Sequence, residues 1–281
     1  MEKENSKTNK VNLMILGFQK SGTTSLSNIL AKHPEINFCS QKEPNYFSNN
    51  KNWKKKIDDY HNLFKSKPKS KIWAEGSTNY SWLLDYPHVA KSLKDYNKNL
   101  KFIFIMRDPV YRLKSHYIYY RKKGYTNRNF FDEIKLNPSY ILNGLYSVQC
   151  TPFLNLFPKN NFLFLTLEDF KKNPIKELKK ISEFLSINFE ELSQIDFENK
   201  NKSSEIKNIR PIKIYLAPYL RFIPQKIRKF FYPIFQYQKT IDFNINQNTY
   251  EYLKLFYHTD IEKMEKITNM RLKNIWKYKK T

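Results

Sequence analysis

Gly17-Phe18-Gln19-Lys20-Ser21-Gly22-Thr23-Thr24-Ser25 sets two glycines, one lysine and a run of hydroxyls between an apolar run and a helical pattern. A glycine turn at a helix start aims backbone N–H groups, and the positive end of the helix dipole, at an anion. Thr23, Thr24 and Ser25 add hydroxyl donors in the first helical turn and Lys20 adds a mobile charge, so the chemistry expected here is the binding of a phosphate-like group. The Walker pattern G-x-x-x-x-G-K-[ST] needs its lysine directly after the second glycine. Thr23 stands there instead and the lysine precedes Gly22, which disfavours an ATP or GTP hydrolase. A second candidate pair is Arg107 and Ser115, in RDPVYRLKSHY. A guanidinium at a strand end and a hydroxyl two turns into the following helix can converge on one dianionic phosphate. Read alone, Arg-Asp-Pro is more often a capped helix start, with Asp108 as cap and Pro109 at the first position. A third candidate is Glu43, in Lys42-Glu43-Pro44-Asn45-Tyr46-Phe47. By itself it reads as a surface carboxylate paired with a lysine. In a partly buried site its pKa would rise toward that of a general base, and Lys42 would oppose the rise. His116 reads as structural or hydrogen-bonding, and His33 before Pro34 as a helix end. No His and Cys spacing fits zinc, and there is no nucleophile and base pair of the hydrolase kind.

The elements that must position these groups are legible as apolar runs. Residues 11–17 read as a strand, the loop follows, and Leu26, Ile29 and Leu30 recur at helical spacing. Further strands are expected at INFCS, at 71–77, at KFIFIMRDP over 101–109 and at 161–167, with helices across PHVAKSLKDY and VYRLKSHYIYYRKKG. A long helical segment is expected over 138–157, interrupted near Pro152. Ile175, Leu178, Ile181 and Leu185 should share one helical face. Strands alternating with helices predict an α/β fold. The expectation is a single doubly wound domain over 11–281, with a parallel sheet of about five strands flanked by helices, of the P-loop nucleotide-kinase-like kind. Residues 1–10 are expected to be a flexible N-terminus. The polar stretch 198–210 reads as an exposed loop, and 212–238 as short basic and aromatic helices. Near the C-terminus, Tyr252, Leu255 and Phe256 recur at helical spacing, with Ile261 and Met264 on a second face.

The chain has 281 residues, with 50 Lys plus Arg against 26 Asp plus Glu, a net charge of +24. With 40% hydrophobic and 16% aromatic residues it is too rich in core formers for a disordered basic tail. The charge attracts phosphates, sulfates, nucleic acid or anionic membrane without choosing among them. Two cysteines, no apolar run of membrane-spanning length and no signal-peptide pattern at the start lead to the expectation of a soluble, cytoplasmic protein. YLRFIPQKIRKFF would suit a membrane surface or an acidic polymer. Pro224 and Pro233 break that stretch, and it reads equally as a packed helical pair with basic outer faces.

GFQKSGTTSL resembles the 5′-phosphosulfate loop of sulfotransferases that use 3′-phosphoadenosine 5′-phosphosulfate (PAPS). The likeness is strongest to the carbohydrate-directed branch related to heparan sulfate sulfotransferases and their bacterial counterparts. RDPVYRLKSHY is similar to that family's 3′-phosphate motif, in the expected order and separation. KEPNYF resembles its Lys-Glu-Pro-His-Phe-Phe type motif, and Glu75-Gly76-Ser77-Thr78-Asn79-Tyr80 its small-residue turn near the acceptor cleft. Gly144-Leu145-Tyr146 is similar to the segment approaching the cofactor's nucleotide, and residues 167–185 to a scaffold helix. The resemblance runs from about residue 12 to residue 187 and resumes weakly near the C-terminus. It implies that Lys20, Ser21, Gly22, Thr23, Thr24 and Ser25 bind the 5′ end of PAPS, that Arg107 and Ser115 bind its 3′-phosphate, and that Tyr146 approaches the nucleotide. It further implies Glu43 as general base, Lys20 as the catalytic cation, and no metal. The family closes a Lys-Gly-Arg type loop over the cofactor. Residues 199–210 offer Lys202 and Arg210 for that role without a glycine, within an insertion at 198–240 placed near the acceptor cleft. The implied partner is a glycan or glycolipid, with an anionic acceptor suiting the charge, at or near a membrane surface and without specific nucleic-acid binding. Two other readings stay open. An atypical P-loop kinase would need magnesium and an acidic ligand, a role Asp108 serves poorly as a helix cap. A basic nucleic-acid or membrane-binding protein would need no catalytic group.

Overall fold

KFIFIM alternates phenylalanine with isoleucine, the pattern of a strand whose two faces are both buried. In the computed structural model, which describes residues 10–65, 67–194, 206–209, 236–241 and 243–278, it is β4 of a five-stranded sheet. The elements leading to it are β1 (Leu13–Gly17), α1 (Thr23–Lys32), β2 (Ile36–Phe38), α2 (Tyr46–Asn49), α3 (Ile57–His61), β3 (Ile72–Glu75), α4 (Val89–Tyr96) and β4 itself (Lys101–Met106). There follow α5 (Pro109–Lys123), α6 (Phe130–Leu136), α7 (Ser139–Leu142), α8 (Tyr146–Leu154), β5 (Phe162–Thr166), α9 (Leu167–Lys172), α10 (Pro174–Leu185) and α11 (Phe189–Ser193). The last elements are β6 (Ile206–Ile209), β7 (Gln236–Ile241), α12 (Gln247–Thr268) and α13 (Leu272–Ile275). The sheet order is β2-β3-β1-β4-β5 and every pairing is parallel, with Met14 opposite Glu75, Gly17 opposite Ile105 and Met106 opposite Thr166. This is the expected doubly wound α/β architecture with a helical C-terminal part.

Two compact units emerge from the contacts. The first comprises Met1–Asp108, Leu145–Glu198 and His258–Thr281, the second Pro109–Gly144 and Asn199–Tyr257. In the first, one face of the sheet presents Leu13, Ile15, Ile72, Ala74, Ile103, Ile105 and Leu165, packed with apolar residues of α1, α9, α10 and α11. The other face is aromatic: Phe102 and Phe104 pack on Phe162 and Phe164 along the sheet and on Phe153 of α8. Because strand side chains alternate, Glu75 is sent to this second face when Ile72 and Ala74 take the first. The second unit holds α5, α6, α7, the antiparallel pair β6 and β7, and the start of α12. Tyr117, Phe130 and Phe243 meet there with ring centres 4.9–5.3 Å apart. His116 is buried in this unit with its ring 4.3 Å from that of Tyr140 and 4.5 Å from that of Tyr120, a packed histidine as expected.

Several local expectations are corrected. The segment 138–157 breaks at Asn143-Gly144-Leu145, not at Pro152. A Cβ at Gly144 would lie 2.8 Å from the Tyr257 ring, which explains a glycine there, whereas Pro152 sits inside α8 and removes one hydrogen bond without ending the helix. Ile175 is 51% exposed while Leu178, Ile181 and Leu185 are buried. At about 100° per residue it lies roughly 90° off the centre of that stripe. On α12 the buried apolar residues are Leu253, Tyr257, Ile261 and Met264, and Tyr252, Leu255 and Phe256 are exposed. Ile206–Ile209 and Gln236–Ile241 form strands where a loop and short helices were expected, since antiparallel pairing satisfies backbone groups that an isolated loop leaves to water. Residues 1–9, Lys202, Arg210 and residues 210–235 lie outside the described residues. Cys39 and Cys150 are buried free thiols. Among the described residues no helix is long and apolar enough to cross a membrane.

Candidate active site

Chain connections leave β1 and β4 toward opposite sides of the sheet, and such a switch point opens a crevice at the carboxyl ends of the two strands. The loop after β1 borders it. The Ser21 N–H donates to the Phe18 carbonyl at 2.9 Å, closing a tight turn. Lys20 at φ 75° and Gly22 at φ 101° both adopt left-handed backbone, a conformation that costs a lysine energy and that the turn must hold in place. Gly17 admits no side chain, since a Cβ would lie 2.0 Å from Thr23 Cγ2 and 2.9 Å from Ile105 Cγ2. The strand can therefore deliver the chain onto α1 only through glycine.

Gly22 is the N-cap of α1, with no side-chain cap and no acidic residue in the first turn. The first N–H groups of a helix have no partner within it, so these are available to an anion. The Ser21 hydroxyl is buried without a hydrogen-bond partner, which calls for a ligand atom at that place. Lys20, Thr24 and Ser25 are partly exposed around it and Thr23 is buried. The donor set is hydroxyl, amide and cation with no acid among it, and it fits a phosphate or phosphosulfate group.

Arg107 follows β4 and is partly exposed; its Nη1 donates to the Lys20 carbonyl at 3.3 Å. The second cation of the sequence reading is thus joined to the loop. Tyr146 is fully buried, its hydroxyl donating to the Arg107 carbonyl at 2.5 Å and its ring centre 4.2 Å from that of Phe18. It braces the loop and Arg107 from behind. Glu168, after β5, accepts from the Asp108 N–H at 3.1 Å and the Trp276 Nε1–H at 3.0 Å, tying the strand end that carries Arg107 to α13. Ser115 is buried on α5, in the second unit.

Glu43 is in a separate cluster on the β2–β3 side of the same sheet edge. It is partly exposed and has φ 50°, with Asn45 at φ 53°. The Thr78 hydroxyl donates to Glu43 Oε2 at 3.3 Å, and the Asn45 N–H donates to the Ser77 hydroxyl at 3.0 Å. The Phe47 N–H donates to the Tyr80 hydroxyl at 3.1 Å. Beneath this turn Glu75 is wholly buried, and burial pushes its carboxyl up to about 8 against the opposing influence of the Tyr80 and Tyr60 hydroxyls. The sequence reading marked 75–80 as a small-residue turn but gave Glu75, Ser77, Thr78 and Tyr80 no role. The available signal was an acid at the carboxyl end of a buried parallel strand.

The family model described as "Sulfotransferase domain" matches residues 10–221. Human carbohydrate sulfotransferase 15 is 26% identical over 78% of this chain and 50% of its own length. Mouse heparan sulfate glucosamine 3-O-sulfotransferase 3B1 is 27% identical over 62% of this chain and 45% of its own. The chain thus spans about half the length of these curated relatives. A sulfotransferase crystal structure from Alicyclobacillus acidocaldarius superposes with a TM-score of 0.70 at 18% identity, covering 95% of this chain and 99% of that one, and establishes the likeness of fold.

Proposed function

This chain belongs to the sulfotransferase-domain family, and from that premise we propose that it moves a sulfuryl group from PAPS to a hydroxyl or amine of a glycan or glycolipid. The carbohydrate acceptor follows the names of the two relatives and the +24 charge, which favours an anionic glycan. The observation carrying the reading is the junction of Arg107 with the loop at Lys20, which joins two phosphate-binding cations at the switch point of the sheet.

Bound PAPS supplies the activated sulfuryl group. The amides of Gly22, Thr23 and Thr24, the hydroxyls of Ser21, Thr23, Thr24 and Ser25, and the Lys20 ammonium hold its 5′ end. Arg107 and Ser115 hold the 3′-phosphate, and Tyr146 keeps Arg107 in place. Lys202 and Arg210, which lie outside the described residues, are the candidates from 199–210 for a contact with the nucleotide. Glu43 takes the proton of the acceptor group, and Lys20 offsets the charge that grows on the leaving oxygen. The Thr78 hydroxyl occupies Glu43 Oε2 and leaves Oε1 to the acceptor. The net charge of +24 suits lipid-linked or anionic glycans, with the enzyme cytoplasmic and peripheral to the membrane.

Calorimetric titration with adenosine 3′,5′-bisphosphate tests this. Binding should be independent of magnesium, stronger than that of ATP or GTP, and lost in Lys20→Ala and Arg107→Ala. Glu43→Gln should keep the nucleotide affinity while turnover falls by about two decades. Preference for ATP with magnesium would restore the kinase reading.

A further inference from the structure

Glu75 is a carboxyl with no charged partner among the described residues, sealed under the loop that bears Glu43. It is 0% exposed, and neither oxygen makes a well-formed hydrogen bond. Around it stand Tyr60 of α3, Tyr80 of the following turn, Tyr96 of α4 and Cys39 beyond β2, all buried and all held neutral by burial. His61 is hydrogen-bonded to the Tyr96 hydroxyl, with burial the main influence holding its imidazole below its usual range, and Lys10 lies 5.9 Å from the Tyr96 ring centre.

Tyr80 links the cage to the loop above. Its hydroxyl accepts the Phe47 N–H, so its own proton is left for an acceptor, and the carboxyl it faces is that of Glu75. Phe47 is four residues beyond Glu43, and between them Glu43 and Asn45 both carry left-handed backbone, which needs external support. That support comes from the turn after β3 through Ser77, Thr78 and Tyr80. We propose that Glu75, as a neutral carboxylic acid, is the positioning residue of the Glu43 loop, fixing Tyr80 and through it the backbone that presents the base.

The assignment rests on Glu43 being the base, but its first consequence needs no acceptor. Burial pushes the Glu75 carboxyl up to about 8 in the folded chain. An unfolded glutamate ionises near its ordinary value of 4.5, so the folded state keeps a proton that the unfolded state loses. The contribution of Glu75 to stability is therefore fully present below the unfolded value, is lost progressively as pH rises to the folded value and is level above it.

The experiment combines amide hydrogen exchange of the 42–49 segment, melting between pH 5 and 9, nucleotide calorimetry and the pH profile of turnover. It compares wild type with Glu75→Gln, Glu75→Ala and Tyr80→Phe. Glu75→Gln, neutral at every pH, should keep 42–49 protected, flatten the fall of melting temperature with pH and remove an alkaline limb from the turnover profile. Glu75→Ala and Tyr80→Phe should speed exchange in 42–49 by tenfold or more, leave the 17–25 loop protected, and lower kcat with nucleotide affinity unchanged. Two results would overturn the assignment: unchanged exchange of 42–49 in Tyr80→Phe, or Glu75→Gln melting with the wild-type pH dependence. If nucleotide fails to bind while exchange and melting behave as stated, the sulfotransfer reading fails and the cage stands. If nucleotide binds and Glu43→Gln abolishes turnover while 42–49 ignores Tyr80→Phe, the cage alone fails.

Discussion

The carboxyl edge of the sheet holds two regions, each given a role in the proposed function, that are built in opposite ways. On the β1–β4 side the proposed anion site is made of contiguous backbone, with one turn, a helix start and a single arginine from the neighbouring strand. On the β2–β3 side a lone carboxylate rides on a strained loop held by hydroxyls from a segment more than thirty residues away in sequence, with separations of 32 to 35. The first needs glycines because the ligand must meet main-chain amides. The second needs side-chain tethers because one carboxylate must be aimed.

Removing the geometry of the first region should have the largest effect. In Gly17→Ala the new methyl would collide with Thr23 Cγ2 and Ile105 Cγ2, so either β1 or the start of α1 must move. Overpacking of this kind costs about 1–3 kcal/mol, occasionally more. A lowered melting temperature and nucleotide binding weakened by about two decades are expected, read by circular dichroism and calorimetry. Binding within a few-fold of wild type would mean that the loop is not the anion site and would dissolve the contrast between the two sides.

That contrast also explains what the sequence made legible. The loop could be read because its signal is local: Gly17, Gly22 and the hydroxyls follow one another, and the strand and helix flanking them have clear periods. Five strands of alternating or continuous apolar residues made the sheet readable for the same reason. The pairing of Arg107 with Ser115 came from the resemblance of RDPVYRLKSHY to a family motif, and the two residues fall in different compact units. Tyr146 was assigned to the nucleotide, but it is fully buried and its hydroxyl is committed to the Arg107 carbonyl, a relation between distant segments that no local pattern encodes. Ser77, Thr78 and Tyr80 were invisible as tethers because hydroxyls in a turn have many local partners to choose from. The break at Gly144 escaped because it answers to the Tyr257 ring, more than a hundred residues downstream, while Pro152 offered a stronger local signal with little structural effect.

A smaller change isolates the arginine. Arg107→Lys keeps the charge but loses the planar fork that can serve the Lys20 carbonyl and a phosphate together. Charged hydrogen bonds contribute about 1.5–3 kcal/mol, so nucleotide affinity should fall roughly ten- to a hundredfold in calorimetry, with kcat at saturation changed far less. An equal fall in kcat at saturating nucleotide would place Arg107 in the chemical step.

The smallest effects sharpen the comparison most, because two hydroxyl deletions of similar cost should act on different constants. Tyr146→Phe keeps the ring on Phe18 and removes the bond to the Arg107 carbonyl, while Thr78→Val keeps the shape and removes the bond to Glu43 Oε2. Each loses a hydrogen bond contributing about 0.5–1.5 kcal/mol, a factor of roughly two to ten. In Tyr146→Phe that factor should appear in the nucleotide Kd and leave kcat nearly untouched. In Thr78→Val it should appear in kcat, because an unanchored carboxylate spends less time aimed at the acceptor, and the Kd should hold. If both variants shifted both constants together, the two sides of the sheet edge would be one coupled device, and the loop and the base could not be treated as separately built parts.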